Sequence, residues 1–418
     1  MKKIISLFLS FSVLLSLFAC GGNVTSTSTS SSEVVEDTKN NFKLGIVLIG
    51  DENEGYTYSH ISGIRDAVKE LGLDEKTSVI YKYNIGESDA AHDACVDLAE
   101  QGCKLIITNS YGHQKYTELS ATEYPDREFV AMTGDTANKS GLKNFHNAFT
   151  KIYEARYLSG VAAGLKLKEL IEENKITDKN KDENGNIKIG YVGAYPFAEV
   201  VSGYTSFFLG IRSVVNEVAM QVQYTNSWGD MTAEYEAATA LIGNGCVIIG
   251  QHADTTGAPS AVETRLKEGD LCYSVGYNID MSSVAPNAAL TSPTNHWANY
   301  YKQIIKAVMN GEKFDINWAE GFETDSVRYT TLTKNCAKDT EKTLEEIKKK
   351  IINGELHVFD INTFTVEGKK VEHCFATDTD GDFTPDKDEA VFDGYYHESY
   401  FQSAPSFALR IDGIKELN

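Results

Sequence analysis

Rings, carboxylates, amides and imidazoles are gathered in a few short clusters of this chain. One set reads Gly50-Asp51-Glu52-Asn53-Glu54-Gly55-Tyr56-Thr57-Tyr58-Ser59-His60, Asn109-Ser110-Tyr111-Gly112-His113 and Met132-Thr133-Gly134-Asp135. A second set reads Tyr195-Pro196-Phe197-Ala198-Glu199, Asn226-Ser227-Trp228-Gly229-Asp230, Gln251-His252-Ala253-Asp254-Thr255-Thr256 and Tyr277-Asn278-Ile279-Asp280. This mixture suits recognition of a flat heteroaromatic ligand with polar edges. Rings stack on its faces, while amides and carboxylates meet its N–H groups and ring nitrogens. Stacking one base on one aromatic side chain contributes about 1–3 kcal/mol. Two rings from opposite walls therefore supply much of a micromolar affinity. A sugar uses the same rings with more planar polar groups around them, so residue types alone leave both ligand classes open. The residues assigned to the ligand are Tyr56, Tyr58, Asn109, Ser110, Thr133, Glu199, Trp228, His252, Asp254, Asn278 and Asp280.

Catalytic signatures are missing from the sequence. It carries no nucleophile elbow, P-loop or HExxH, and His60, His113 and His252 lack metal-ligand spacing. The expectation is a binding protein rather than an enzyme, with a surface nucleoside hydrolase as the enzymatic rival and a receptor for a sugar or riboflavin-like ligand as the other. No cofactor is expected. One acidic stretch spaces oxygens like a calcium loop: Asp378, Asp380, Asp382, Asp386 and Glu389, the last at the twelfth place. Phe383 occupies the sixth place, where such a loop needs glycine for its turn.

The elements that position these clusters alternate. Lys43 to Gly50 is a buried strand, Tyr58 to Leu71 has helical spacing, and further strands fit Ser78 to Tyr83, Lys104 to Asn109 and Glu128 to Thr133. That order implies parallel sheets with helices on both faces. The plan occurs twice. Gly63-Ile64-Arg65-Asp66-Ala67-Val68 returns as Gly210-Ile211-Arg212-Ser213-Val214-Val215, and Gln101-Gly102-Cys103-Lys104-Leu105-Ile106 as Asn244-Gly245-Cys246-Val247-Ile248-Ile249. The fold class is thus α/β, two doubly wound parallel-sheet lobes facing across a central cleft, as in type I periplasmic binding proteins. Ligands of open α/β sheets bind beyond the carboxyl ends of the strands, which is where the clusters stand.

The chain has 418 residues, 42% hydrophobic and 24% charged, enough for two cores. Its net charge of -21 excludes nucleic acid as a partner and gives anionic lipid no purchase. Membrane attachment therefore needs an anchor. Lys2 and Lys3 precede an apolar run from Ile4 to Phe18 that ends Leu17-Phe18-Ala19-Cys20-Gly21, which resembles a lipobox with Cys20 acylated. Residues 1–20 read as a lipoprotein signal and 21–41, rich in Ser and Thr, as a flexible linker. The remaining cysteines, with no CxxC pair, are expected as single buried thiols.

Gly55 to His60, Ile152 to Gly160, Asn226 to Trp228 and Gln251 to Thr255 resemble the basic membrane protein family of lipoproteins, over roughly residues 42 to 355. The resemblance implies the substrate-binding component of an ATP-driven importer for purine nucleosides and related compounds. Its partners are a permease and an ATPase, and it is held as a monomer on the outer face of the membrane. It implies a purine sandwiched between an aromatic after the first strand, Tyr58 with Tyr56 as the neighbour that can substitute, and Trp228. It also implies a polar reader after the last lobe-two strand, Asn278 or Asp280. Thr291-Ser292-Pro293-Thr294-Asn295 lacks the Lys of the nucleoside receptors, and Tyr-Thr-Tyr-Ser-His replaces Lys-Ser-Phe-Asn. Both departures resemble a branch that takes free bases, so base and nucleoside stay open. Lobe 1 is expected at 42–148 and 281–312, lobe 2 at 149–280 and 313–357, with 358–418 a C-terminal extension packing on them. Glu154 is read as an interlobe anchor.

Overall fold

Short strands with buried residues on both faces need helices above and below them, and the chain supplies both in alternation. The computed structural model describes residues 42–376 and 387–418. The first half runs β1 (Leu44–Val47), α1 (Gly55–Glu70), β2 (Val79–Lys82), α2 (Asp89–Glu100), β3 (Leu105–Thr108), α3 (Gln114–Glu123), β4 (Glu128–Met132) and β5 (Phe145–Thr150). After α4 (Ile152–Glu172) come β6 (Ile187–Gly193), α5 (Ala198–Arg212), β7 (Val218–Tyr224), α6 (Met231–Gly243), β8 (Ile248–Gln251), α7 (Gly257–Lys267) and β9 (Tyr273–Val275). The rest is β10 (Pro293–Asn295), α8 (Ala298–Asn310), β11 (Asn317–Glu320), β12 (Val327–Tyr329), α9 (Thr340–Ile352), β13 (Val391–Phe392), β14 (Tyr395–Tyr396) and β15 (Ile414–Glu416).

Two parallel sheets result, in the orders β11-β5-β4-β3-β1-β2 and β15-β7-β6-β8-β9. Their centres match: β1 lies between β2 and β3 as β6 lies between β7 and β8. Each sheet is doubly covered. Alternate residues of β1, β3 and β4 enter one apolar cluster with Ile61, Ile64, Trp297 and Tyr301, while Val47, Ile106 and Phe129 enter another with Leu98. The repeated motif explains itself in the same terms. Gly102 and Gly245 close α2 and α6 at φ of 87° and 93°, a left-handed turn that side chains rarely adopt. Cys103 and Cys246 then turn inward to begin the next strand. All six described cysteines are free, four of them buried.

The first helix of each lobe packs against the helix that follows a crossing from the other lobe. Gly63 of α1 lies against Trp297 at the start of α8, and Gly210 of α5 against Tyr157 and Gly160 of α4. Three core crossings join the lobes, after β5, at β10 and after β11. The Thr150 hydroxyl donates to Asn295 Oδ1 at 2.5 Å, and Glu154 Oε2 accepts the Phe322 N–H at 2.8 Å. A Cβ on Gly321 would fall 2.3 Å from that same oxygen, so a larger residue there would have to displace the Glu154 carboxyl.

The lobe boundaries differ from the sequence expectation in three places. Residues 281–292 stay with lobe 2, where Ala289 bridges Ser274 and Ala285 and Ala288 join its core. β11 belongs to lobe 1, because Asn317 to Glu320 pair with Asn147 to Thr150. The extension adds a strand as well as packing: β15 pairs with β7 and completes the lobe-two sheet. Short strands whose partners are more than 160 residues away carry no local mark of their sheet.

Candidate functional site

A chamber of about 310 Å³ lies between the lobes at the carboxyl ends of their strands. Lobe 1 contributes a wall of fixed polar groups. Asn109, just beyond β3, takes the Ile49 N–H on its Oδ1 at 2.8 Å, and its backbone carbonyl receives the Tyr56 hydroxyl at 2.5 Å. The Ser110 hydroxyl donates to Glu87 Oε1 at 2.6 Å, and the Gly112 N–H donates to the same oxygen at 2.9 Å. Thr133, just beyond β4, is held at φ 63° while its N–H donates to the Ala148 carbonyl at 2.8 Å. A β-branched residue held there is strained, and such strain is tolerated where the surroundings over-determine the backbone.

Tyr56 owes its place to the start of α1. Glu54 caps the helix, accepting the N–H groups of Tyr56 and Thr57 at 2.5 and 2.8 Å, so the helix begins earlier than the apolar spacing indicates. Residues i and i+2 of a helix face different ways. Tyr56 consequently lines the chamber, while Tyr58 is 44% exposed and lines a separate hollow. His60 supports Tyr56 edge-on, with centroids 4.5 Å apart, and itself stacks on Trp297. Burial pushes the His60 pKa down to about 3, which leaves its imidazole neutral.

Lobe 2 contributes rings and ionisable groups. Tyr195 meets Trp228 edge to face at 5.3 Å, Trp228 approaches His252 at 6.2 Å, and His252 approaches Tyr277 at 5.1 Å. Arg156 is buried beneath them. Its guanidinium sits 4.0 Å from the Tyr277 centroid and donates to the Tyr191 hydroxyl at 2.6 Å and the Gln251 carbonyl at 3.0 Å. Glu199 Oε1 stands 3.1 Å from His252 Nε2. Burial raises Glu199 to about 7 despite Arg156, and burial followed by Arg156 drives His252 well below its usual range. Asp254 is raised well above the carboxylate range, first by burial and then by Glu54, Glu234 and Glu199. Among the described residues no Lys or Arg lines the chamber, whereas Glu54, Glu87, Glu199 and Asp254 do.

The structure gathers Tyr56, Asn109, Ser110, Thr133, Glu199, Trp228, His252 and Asp254 around one space. Three residues assigned to the ligand fall elsewhere. Tyr58, Asn278 and Asp280 border a second hollow with Asp66 and Arg328. Asn278 sits at φ 60°, directly after Tyr277, and borders the other hollow while Tyr277 lines the chamber. Its amide reaches back to Asp254 Oδ1 at 3.3 Å, so it braces the wall from behind. Of the two aspartates that follow β8 and β9, Asp254 lines the chamber and Asp280 borders the other hollow. Glu87, Tyr111, Tyr195 and Tyr277 also line the chamber without having been singled out. Three of them stand in the strand-end clusters of the sequence, whereas Glu87 follows the end of β2, a strand end that was passed over.

Cys20 and the calcium candidates Asp378, Asp380, Asp382 and Asp386 lie outside the described residues. Glu389 accepts the N–H groups of Cys374 and Val391 at 2.9 and 3.1 Å.

Comparison with known proteins brings the chain into a family. Residues 49–362 match the Bmp family model, described as ABC transporter substrate-binding protein PnrA-like. A purine-binding protein of Brucella abortus is 33% identical over 319 residues, covering 76% of this chain and 83% of the relative. A putative ABC transporter glucose-binding protein of Haloferax volcanii is 30% identical over 278 residues, covering 66% of this chain and 64% of the relative. The crystal structure of an ABC transporter solute-binding protein from Aeropyrum pernix superposes with a TM-score of 0.62 at 18% identity, over 76% of this chain and 93% of that one. That likeness is one of fold.

Proposed function

The chain belongs to the PnrA-like family of ABC transporter substrate-binding proteins, and from that premise we propose that it captures a purine base or purine nucleoside by closing its two lobes on it. The family is one of solute-binding proteins that serve a permease and an ATPase, not of enzymes. The observation that carries the ligand assignment is the chamber itself. Rings enter from both lobes, Tyr56 from one and Tyr195, Trp228 and Tyr277 from the other, and carboxyls supply the polar edge.

Its volume of about 310 Å³ falls at the small end of ligand sites, which run from roughly 300 to 1,000 Å³. Among the described residues no Lys or Arg lines the chamber to pair with a phosphate, which favours a base or nucleoside over a nucleotide. Carboxyls accept hydrogen bonds from the N–H edges of a purine, and the rings stack on its faces. Ligand binding then raises the closed population by the difference in affinity between the two states. Gly55 of lobe 1 already lies against the Asp254 carbonyl of lobe 2, so the lobes meet at the chamber's rim. The name of the Brucella abortus relative points to the same ligand class.

Anchoring belongs to this reading too. Cys20 after its apolar run is taken as the lipidated N-terminus of a monomeric receptor outside the cytoplasmic membrane. Labelling with a palmitate analogue should tag the chain, and Cys20→Ala should abolish the tag. A second ligand reading, a sugar, has the name of the Haloferax volcanii relative in its favour. Calorimetry with adenine, guanine, hypoxanthine, inosine, glucose and riboflavin separates the readings. Saturable heat from a purine with none from glucose supports the proposal, and the reverse overturns it.

A further inference from the structure

A third hollow, of about 370 Å³ and half open to solvent, lies where the hinge, the end of α9 and the C-terminal extension meet, and none of its described lining residues lines the chamber. Two of its lining groups are buried carboxyls, Glu154 at 6% exposure and Glu398 at 2%. Glu154 Oε2 accepts the Phe322 N–H, and its Oε1 takes no hydrogen bond among the described residues. Glu398 is held by the hydroxyls of Ser202 at 2.5 Å and Ser399 at 2.6 Å.

Neither carboxyl has a cationic partner among the described residues. Lys151, the basic residue on the rim, is paired with Glu323 at 2.5 Å. His357 and His397 stack on Tyr395 at 3.7 and 3.8 Å. Burial pushes both glutamates up to about 7, so each resists carrying a charge alone. Tyr153, Phe359, Tyr395, Tyr396 and Tyr400 supply the aromatic part of the wall.

We propose that this hollow binds a small organic cation, an ammonium or guanidinium compound, with its charge between Glu154 and Glu398 and its apolar part against the tyrosines. An N–H donor on a cation makes charge-assisted bonds to carboxylates, and the same cation is attracted to aromatic faces. An anion meets like charge there, and a neutral polyol leaves the buried acids without a counter-charge. A metal ion needs a larger ligand set, and no group of three His, Cys, Asp or Glu is assembled among the described residues. The position gives such a ligand leverage. Glu154 holds the Gly321–Phe322 crossing and Glu398 holds α5 through Ser202, so a bound cation ties hinge and extension together.

The test is calorimetric titration of the full chain with agmatine, an amine that also carries a guanidinium. Wild type and Asp254→Asn should bind agmatine alike, while Glu154→Gln and Glu398→Gln each weaken binding at least about tenfold, as expected for loss of a charge-assisted pair. Thermal melts establish that each variant is folded. Should Glu154→Gln not fold, Tyr395→Leu serves beside Glu398→Gln, with the same weakening expected. Absence of heat at millimolar agmatine overturns the proposal. So does binding that Asp254→Asn abolishes and the glutamate variants keep, or a response to calcium chloride that agmatine does not give.

Discussion

The two lobes share a plan and differ in what they bring to the cleft. Lobe 1 presents groups pinned by neighbours: Asn109 held by Ile49 and Tyr56, Ser110 held by Glu87, and Thr133 held in a left-handed turn. Lobe 2 presents a run of rings from Tyr195 to Tyr277 and carboxyls whose charge is unsettled by burial. The repeat survives where a core must be filled, in helix, glycine, cysteine and strand. It dissolves at the strand ends, where the two copies are free to take different parts. One wall sets a frame, and the other supplies faces and edges for a ligand.

The sharpest break of that symmetry concerns packing. A Cβ at Gly210 would fall 2.1 Å from the Tyr157 backbone oxygen, whereas at Gly63 it would meet the Trp297 Cβ at 2.8 Å. Both contacts are rigid and the one at Gly210 is 0.7 Å closer, so Gly210→Ala is expected to cost about 3 kcal/mol or more and Gly63→Ala about 1–2 kcal/mol. Urea unfolding of both variants checks the order. Equal costs in the two lobes would show that the helix pairs are equally tight.

The walls themselves come next. Trp228→Ala should weaken purine binding at least about tenfold, the loss of one stack, and Tyr56→Leu should weaken it by a smaller factor because His60 and Asn109 keep the local frame. Calorimetry on both variants decides which wall dominates. An effect of Tyr56→Leu larger than that of Trp228→Ala would reverse the division of labour.

Charge gives a third contrast. Glu154, Glu199 and Glu398 have folded pKa values near 7 against 4.5 for a free glutamate. The folded chain binds more protons across that window, so their stabilisation is complete below pH 4.5 and is lost as pH rises through 7. His60 in lobe 1 runs the other way, with about 3 against 6.5, so its contribution grows as pH rises from 3 to 6.5. Thermal melts across the acid to neutral range should lose less stability toward neutral pH in Glu398→Gln than in wild type. An unchanged slope would remove Glu398 from the account.

The smallest effect is expected at the hollow beside Tyr58 and Asp280. Tyr58→Ala and Asp280→Ala should leave purine affinity within about twofold, a shift under 0.5 kcal/mol. A tenfold loss on the same titration would return Tyr58 to the chamber.

The fold was readable because its signals are local and repeated. Gly102-Cys103 and Gly245-Cys246 mark the same turn twice, and the strand-end clusters named the region of the site. What escaped depends on distance or on half a helical turn. The membership of β11 and β15 rests on pairing with β5 and β7 far back in the chain. The choice between Tyr56 and Tyr58 rests on where Glu54 starts the helix, and a carboxylate cap is easily passed over in an acidic run. Arg156 sat inside a recognised motif with no role, because only the fold brings Tyr191, Gln251 and Tyr277 around it.

Diffraction from crystals of the full chain grown with adenine tests the central claim most directly. The account predicts the purine ring between Tyr56 and Trp228, with an N–H within hydrogen-bond reach of Asp254 or Glu199. An empty chamber at saturating adenine, or adenine seated beside Tyr58 and Asp280, would contradict it.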